Sequence, residues 1–198
     1  MRTFWKHYAL GVAVLGLGLI SAPASAHCDF MTGGGWIERP NGAKANFGVA
    51  GGCKKAGPDA PFWGHLNYLD HGNTPPPGAV PPPFHVHWLT ITAYQANFAD
   101  SGPEKDPKRT GTREVCGTAT TNHPLYPLVD FHVQVTDHGE PGSNDVFMIR
   151  LGVNGVEIYT TFTDPDTRLG SGGPGGGNIQ LHKPNPSTTG TFGGTCNI

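Results

Sequence analysis

Apolar and polar residues alternate along this chain with a period of two, and no segment sustains the three-to-four-residue recurrence of a helix. The clearest run is LVDFHVQVT, Leu128–Thr136. Val129, Phe131, Val133 and Val135 share one side of it, and Asp130, His132, Gln134 and Thr136 share the other. A half-buried antiparallel strand has this pattern, because successive side chains leave opposite faces of a sheet. Strand-like segments are predicted at Gly35–Glu38, Ala43–Gly51, Gly64–Leu69, Phe84–Tyr94, Arg113–Thr121, Leu128–Thr136, Asp145–Val153, Gly155–Phe162 and Gly177–His182. Turn formers separate them. Gly72–Pro83 is too rich in proline to donate ladder hydrogen bonds and predicts a stiff, extended surface loop. Ala99–Lys108 reads as a polar loop, Asp137–Asn144 as a hairpin connection, and Thr163–Gly176 as a long loop ending in glycines. Many short strands with Gly- and Pro-rich turns predict an all-β fold, an antiparallel β-sandwich or barrel-like domain of about nine strands.

The first 26 residues depart from that pattern. Arg2, Lys6 and His7 precede an apolar run from Tyr8 to Ile20, and Ala24 and Ala26 follow at the small-residue positions of a signal-peptidase site. A membrane-spanning helix needs about 20 apolar residues; this run is shorter, carries three glycines and is closed by Pro23. Residues 1–26 are therefore expected to be a signal peptide, leaving a single secreted or periplasmic domain, 27–198, with no membrane span after cleavage. Lipid attachment at Cys28 would require a small residue before it, and His27 is not small.

Charge and cysteine content sharpen the picture. With 13 basic against 15 acidic residues and no basic run, the chain lacks the positive stripe that nucleic acid requires. Cys28, Cys53, Cys116 and Cys196 all follow the export segment, and an even count in an exported chain predicts two disulfides. Of the three connectivities, Cys28–Cys196 with Cys53–Cys116 is preferred because it ties the two ends together; the others remain open. No close Cys-x-x-Cys pair suggests zinc instead.

In order along the chain stand GGGWI (Gly33–Ile37), AKANFG (Ala43–Gly48), GHLNYLDH (Gly64–His71), CGTATTN (Cys116–Asn122), DHGEPGSNDVFMIRL (Asp137–Leu151) and GGNIQLHK (Gly176–Lys183). This series resembles the post-COAP (choice-of-anchor-associated) family of secreted bacterial β-domains over nearly the whole exported part. The resemblance implies a compact extracellular all-β module and carries over no catalytic residue.

Candidate chemistry is sparse. In FHVHW, Phe84–Trp88, His85 and His87 are two apart on a predicted strand, so both imidazoles leave the same face and could share a metal. The string is similar to a segment of the α-class carbonic anhydrases, where such a pair joins a third histidine; His132 is the candidate for that place. The competing account makes His85 and His87 buried or rim residues on a face shared with Leu89, Ile91 and Ala93. An N-terminal His27 could hold copper through its α-amine and ring. Asp137, Glu140, Asn144 and Asp145, and separately Asp164 and Asp166, offer oxygens of the kind calcium takes, though turns use the same residues. No G-x-S-x-G elbow is present. Phe62, Trp63, Trp88 and Tyr94 could form a sugar-stacking surface. The expected function is a non-catalytic secreted module without a cofactor. Its binding or structural role lies at the cell exterior, toward carbohydrate or another cell-surface component. The alternative is a histidine-liganded zinc or copper protein.

Overall fold

The computed structural model describes residues 28–54, 61–72, 83–96, 110–188 and 190–198. The predicted signal segment, His27, the Ala99–Lys108 loop and most of the proline-rich loop lie outside the described residues. Among the described residues the strands are β1 (Phe30–Glu38), β2 (Lys44–Cys53), β3 (Phe62–Asp70), β4 (Phe84–Gln95), β5 (Gly111–Thr121), β6 (Leu128–Asp137), β7 (Val146–Val153), β8 (Val156–Thr160), β9 (Gly177–His182) and β10 (Gly193–Gly194). They form one antiparallel sheet in the order β8-β7-β6-β5-β4-β3-β2-β1-β9, with β10 added beside β4. The chain is thus a meander whose ninth strand returns to pair with the first.

The sheet curls into a half-barrel, so that its two halves bury a common inner face. Phe47 of β2 stacks on Phe147 of β7 with ring centroids 3.9 Å apart, and Phe84 of β4 packs on Tyr159 of β8 at 5.5 Å. Val129, Phe131, Val133 and Val135 point into this core, as their alternation predicts. Burial of such side chains is the main stabilising term, roughly 1.5 to 3 kcal/mol for each large one.

Two buried polar clusters lie at opposite ends of the core. At one, Tyr68 and Tyr159 share a hydroxyl contact of 2.5 Å, Tyr159 donates to Asp70 at 2.6 Å, and Arg39 pairs with both Asp70 and Asp164. At the other, Asp29 accepts from Arg113 and, at 2.9 Å, from the Tyr94 hydroxyl. Burial and the neighbouring carboxylates hold all three tyrosines well above the usual phenol range. These groups brace the fold.

Three expectations need correction. The first strand begins at Phe30, five residues earlier than the predicted start at Gly35, because Phe30–Gly34 also pairs in the ladder with β2. Gly35 itself permits a close approach: a Cβ there would stand 2.2 Å from the carbonyl oxygen of Gly176, on the segment leading into β9. The two-residue β10 was not predicted. The disulfides join Cys28 to Cys53 and Cys116 to Cys196. The β1–β2 register sets Phe30 opposite Gly52, which places Cys28 and Cys53 together, with Cα atoms 5.8 Å apart. Cys53 and Cys116, by contrast, lie three strands apart, a lateral distance of about 14 Å that a disulfide cannot span. Both bridges belong to an oxidising, extracytoplasmic environment. No helix among the described residues is long and apolar enough to cross a membrane.

The outer edge of β9 is closed by side chains. Asp145 accepts the backbone N–H of Ile179 at 2.7 Å, and Asp137 accepts that of Leu181 at 2.8 Å. The same two carboxylates accept the N–H groups of His138 and Gly139, fixing the hairpin that carries them.

Candidate functional site

Strand β4 turns Phe84 and Val86 inward, both with no exposed surface, and so turns His85 and His87 outward. Their rings are nearly parallel, 19° between planes, with centroids 6.3 Å apart. The β3–β4 register places Asn67 opposite His87, and Asn67 Oδ1 lies 2.6 Å from His85 Nε2. A carboxamide oxygen only accepts, so His85 carries its proton on Nε2 and keeps the Nδ1 lone pair. The predicted apolar face shared with Leu89, Ile91 and Ala93 does not form. Irregularities between Trp88 and Thr90 and between Ile91 and Ala93 break the alternation, leaving Leu89 48% exposed and Ala93 fully buried. His85 and His87 belong to a solvent-facing surface.

His132 does not join them. It sits on β6, two strands from β4, and its cross-strand partner is Cys116. Its register is also four residues along from Leu128, which faces Thr120, the β5 partner of His87. His132 lies beside the Cys116–Cys196 bridge, with the ligand atoms of the three residues within 4.8 Å of one another. That grouping has the composition of a metal site but not its chemistry. Both sulfurs are spent in the disulfide, and Arg150 donates to His132 Nδ1 from Nε at 2.9 Å and from Nη2 at 2.7 Å. Arginine only donates, so the Nδ1 lone pair is committed and the proton resides on Nε2, which faces Glu114 at 3.4 Å. No lone pair remains for an ion. The third-ligand role expected of His132 is therefore corrected to a structural one, and His27 lies outside the described residues.

Burial, reinforced by the Arg150 guanidinium, pushes the His132 pKa down to about 4. The folded state thus prefers the neutral ring, while the unfolded chain takes up a proton near pH 6.5. Stability from this group is complete above the unfolded value and is lost as pH falls from about 6.5 to about 4, on the order of 2 kcal/mol. Urea titrations at pH 7.5 and pH 4.5 are expected to show that loss in the wild type and a smaller one in His132→Gln. Equal losses in both proteins would remove His132 from the account.

The carboxylates considered for calcium are occupied individually. Asp137 and Asp145 hold β9, Glu140 accepts from Asn178 at 3.0 Å, Asp164 pairs with Arg39, and Asp166 pairs with Arg168 at 2.7 Å. Asn144 closes a short 3-10 turn. Desolvation raises the Asp145 and Asp164 carboxyls above the usual range. The expected aromatic platform also fails, since Tyr94 is fully buried and Phe62 is 7% exposed.

A different surface takes its place. A groove of about 450 Å³ opens on the outer side of β1, β2 and β3, lined by Trp36, Asn46, Gly48, Asn67, Leu69 and the Gly175–Gly177 segment. Trp36 holds that segment as a wall, donating from its backbone N–H to Gly176 at 2.8 Å and from Nε1 to Gly175 at 3.3 Å. The Lys44 ammonium lies 4.0 Å from the indole centroid, at the rim. A Cβ on Gly48 would meet nothing within 4 Å, so the missing side chain is what keeps the floor open. In sequence, Trp36 and Gly48 had marked only a resemblance; the groove joins them across strands. A larger cavity, about 650 Å³, lies between Phe62, Thr92 and the tail residues around Phe192.

The fold and its surfaces thus define a disulfide-stapled, all-antiparallel sheet curled into a half-barrel, with a polar groove open on its outer side. Comparison with protein-family models, with curated proteins and with solved structures returns no match.

Proposed function

We propose that this chain is an exported, non-catalytic binding module of the post-COAP kind, cleaved before His27, which engages carbohydrate or another cell-surface component through the Trp36 groove. The observation that carries this reading is the groove itself: an indole wall, two carboxamides at Asn46 and Asn67, and a glycine floor. Sugar rings pack their C–H faces on aromatic surfaces and bond their hydroxyls to amides, which both donate and accept. The interior supports the same reading, because its buried arginines are paired with carboxylates that brace the core.

The test is co-sedimentation of oxidised protein with insoluble polysaccharides, using cellulose, chitin and bacterial cell-wall sacculi as probes. The pair Trp36→Ala with Asn46→Ala is expected to weaken retention on the bound probe about tenfold or more, equivalent to roughly 1.4 kcal/mol. Its melting temperature should stay close to the wild-type value. Unchanged retention of the folded variant would sink the groove as the binding surface.

A further inference from the structure

We propose that His85 and His87 form a two-nitrogen surface chelate for a divalent late transition-metal ion, Cu²⁺ ahead of Zn²⁺, without His132. The proposal shares Asn67 with the groove but does not rest on the groove's ligand.

Backbone geometry comes first. The two residues lie on one face of β4, where the ladder on both sides fixes their spacing: His87 pairs with Asn67 of β3 and with Thr120 of β5. Their rings already face each other at 6.3 Å and 19°. With ring nitrogens about 2.0–2.1 Å from an ion, two imidazoles on adjacent coordination positions bring their centroids to roughly 5 Å. Side-chain rotation alone closes that difference, and His87 is exposed, its ring held by no side-chain hydrogen bond among the described residues and flanked only by His85 and Trp88.

Protonation comes second. A ligating histidine ordinarily donates its other N–H to an oxygen that fixes tautomer and ring orientation. Asn67 does this for His85 at 2.6 Å, leaving Nδ1 with its lone pair. His132 is in the reverse condition, because Arg150 occupies the nitrogen that holds its lone pair. The structure therefore separates histidines equipped to bind from one equipped to brace.

Ion choice comes third. Two imidazoles with the remaining positions open to water suit Cu²⁺ best among divalent first-row ions, since affinity for a nitrogen site rises to copper and falls at zinc.

The experiment is calorimetric titration of untagged, metal-stripped, oxidised protein with CuCl₂ and with ZnCl₂, together with electron paramagnetic resonance of the copper form. Every protein carries His27→Ala, so that an N-terminal histidine contributes nothing. The expected result is one Cu²⁺ per chain with nitrogen coordination in the spectrum, and zinc at least tenfold weaker. His85→Ala or His87→Ala should each weaken copper at least tenfold, Asn67→Leu several-fold, and His132→Gln not at all. Circular dichroism confirms that each variant is folded. Absence of a one-equivalent copper event, its persistence in the double variant His85→Ala with His87→Ala, or its loss in His132→Gln alone would overturn the assignment.

Discussion

Replacing Arg113 by methionine is expected to destabilise the folded protein by about 3 to 5 kcal/mol, the usual effect of removing one partner from a buried ion pair. Arg113 donates from Nε to Asp29 at 3.0 Å, from Nη2 to the other carboxylate oxygen and from Nη1 to the Thr112 carbonyl at 2.8 Å. Its guanidinium lies 5.3 Å from the Phe192 ring centroid. Without it, Asp29 keeps the Tyr94 hydroxyl, but its charge has lost the guanidinium that offsets it in a site sealed from water. Urea unfolding at pH 7 should show a lower midpoint with an unchanged slope. The pair Arg113→Met with Asp29→Asn removes both charges and should lose less than Arg113→Met alone. A single variant within about 0.5 kcal/mol of wild type, the range of ordinary surface changes, would mean that this cluster does not brace the core.

Loss of the Cys116–Cys196 bridge ranks beside it. The bridge spans 80 residues against 25 for Cys28–Cys53. Chain-entropy reasoning makes the longer closure worth about 1 kcal/mol more, within typical contributions of about 2 to 4 kcal/mol. Cys116→Ser with Cys196→Ser should therefore destabilise more than Cys28→Ser with Cys53→Ser, as measured by urea unfolding. A second readout ties the bridge to His132. Cys196 lies against that ring, so freeing the tail admits water and returns the imidazole toward its ordinary pKa. The stability loss between pH 6.5 and 4 should shrink in the same variant. The reverse order of the two bridges would contradict the entropic account.

What the sequence made legible was what neighbouring residues decide together. The alternation in Leu128–Thr136 identifies a strand and its buried side because both follow from a period of two. The predicted boundary between Asp145–Val153 and Gly155–Phe162 falls in the β7–β8 turn, which takes Gly155 as well as Asn154, with φ of 52° at Asn154 and 76° at Gly155. What stayed hidden depends on segments distant in the chain. His132 reads as an outward polar residue, yet it is 4% exposed because the tail is bonded across it at Cys196. The bulged part of β4 left no mark on the hydrophobic pattern, so Leu89 and Ala93 were placed on one face. The start of the first strand stays hidden because glycines carry no alternation to read; only the approach of Ile179 to Gly33 and of Gly176 to Gly35 shows why side chains are absent at those two positions. The pairing of Cys53 with Cys28 follows from a hairpin register that composition does not contain.

The carboxylates beside β9 bear on how copies of this chain behave toward one another. A meander that does not close end to end leaves a free sheet edge, and a row of unmet backbone N–H groups there invites a strand from another molecule. At Ile179 and Leu181 those donors are already taken by Asp145 and Asp137. An incoming strand would have to displace two charge-assisted hydrogen bonds and bring its carbonyl oxygens against two buried carboxylates. The aspartates thus act as a stopper against polymerisation along that side of the sheet.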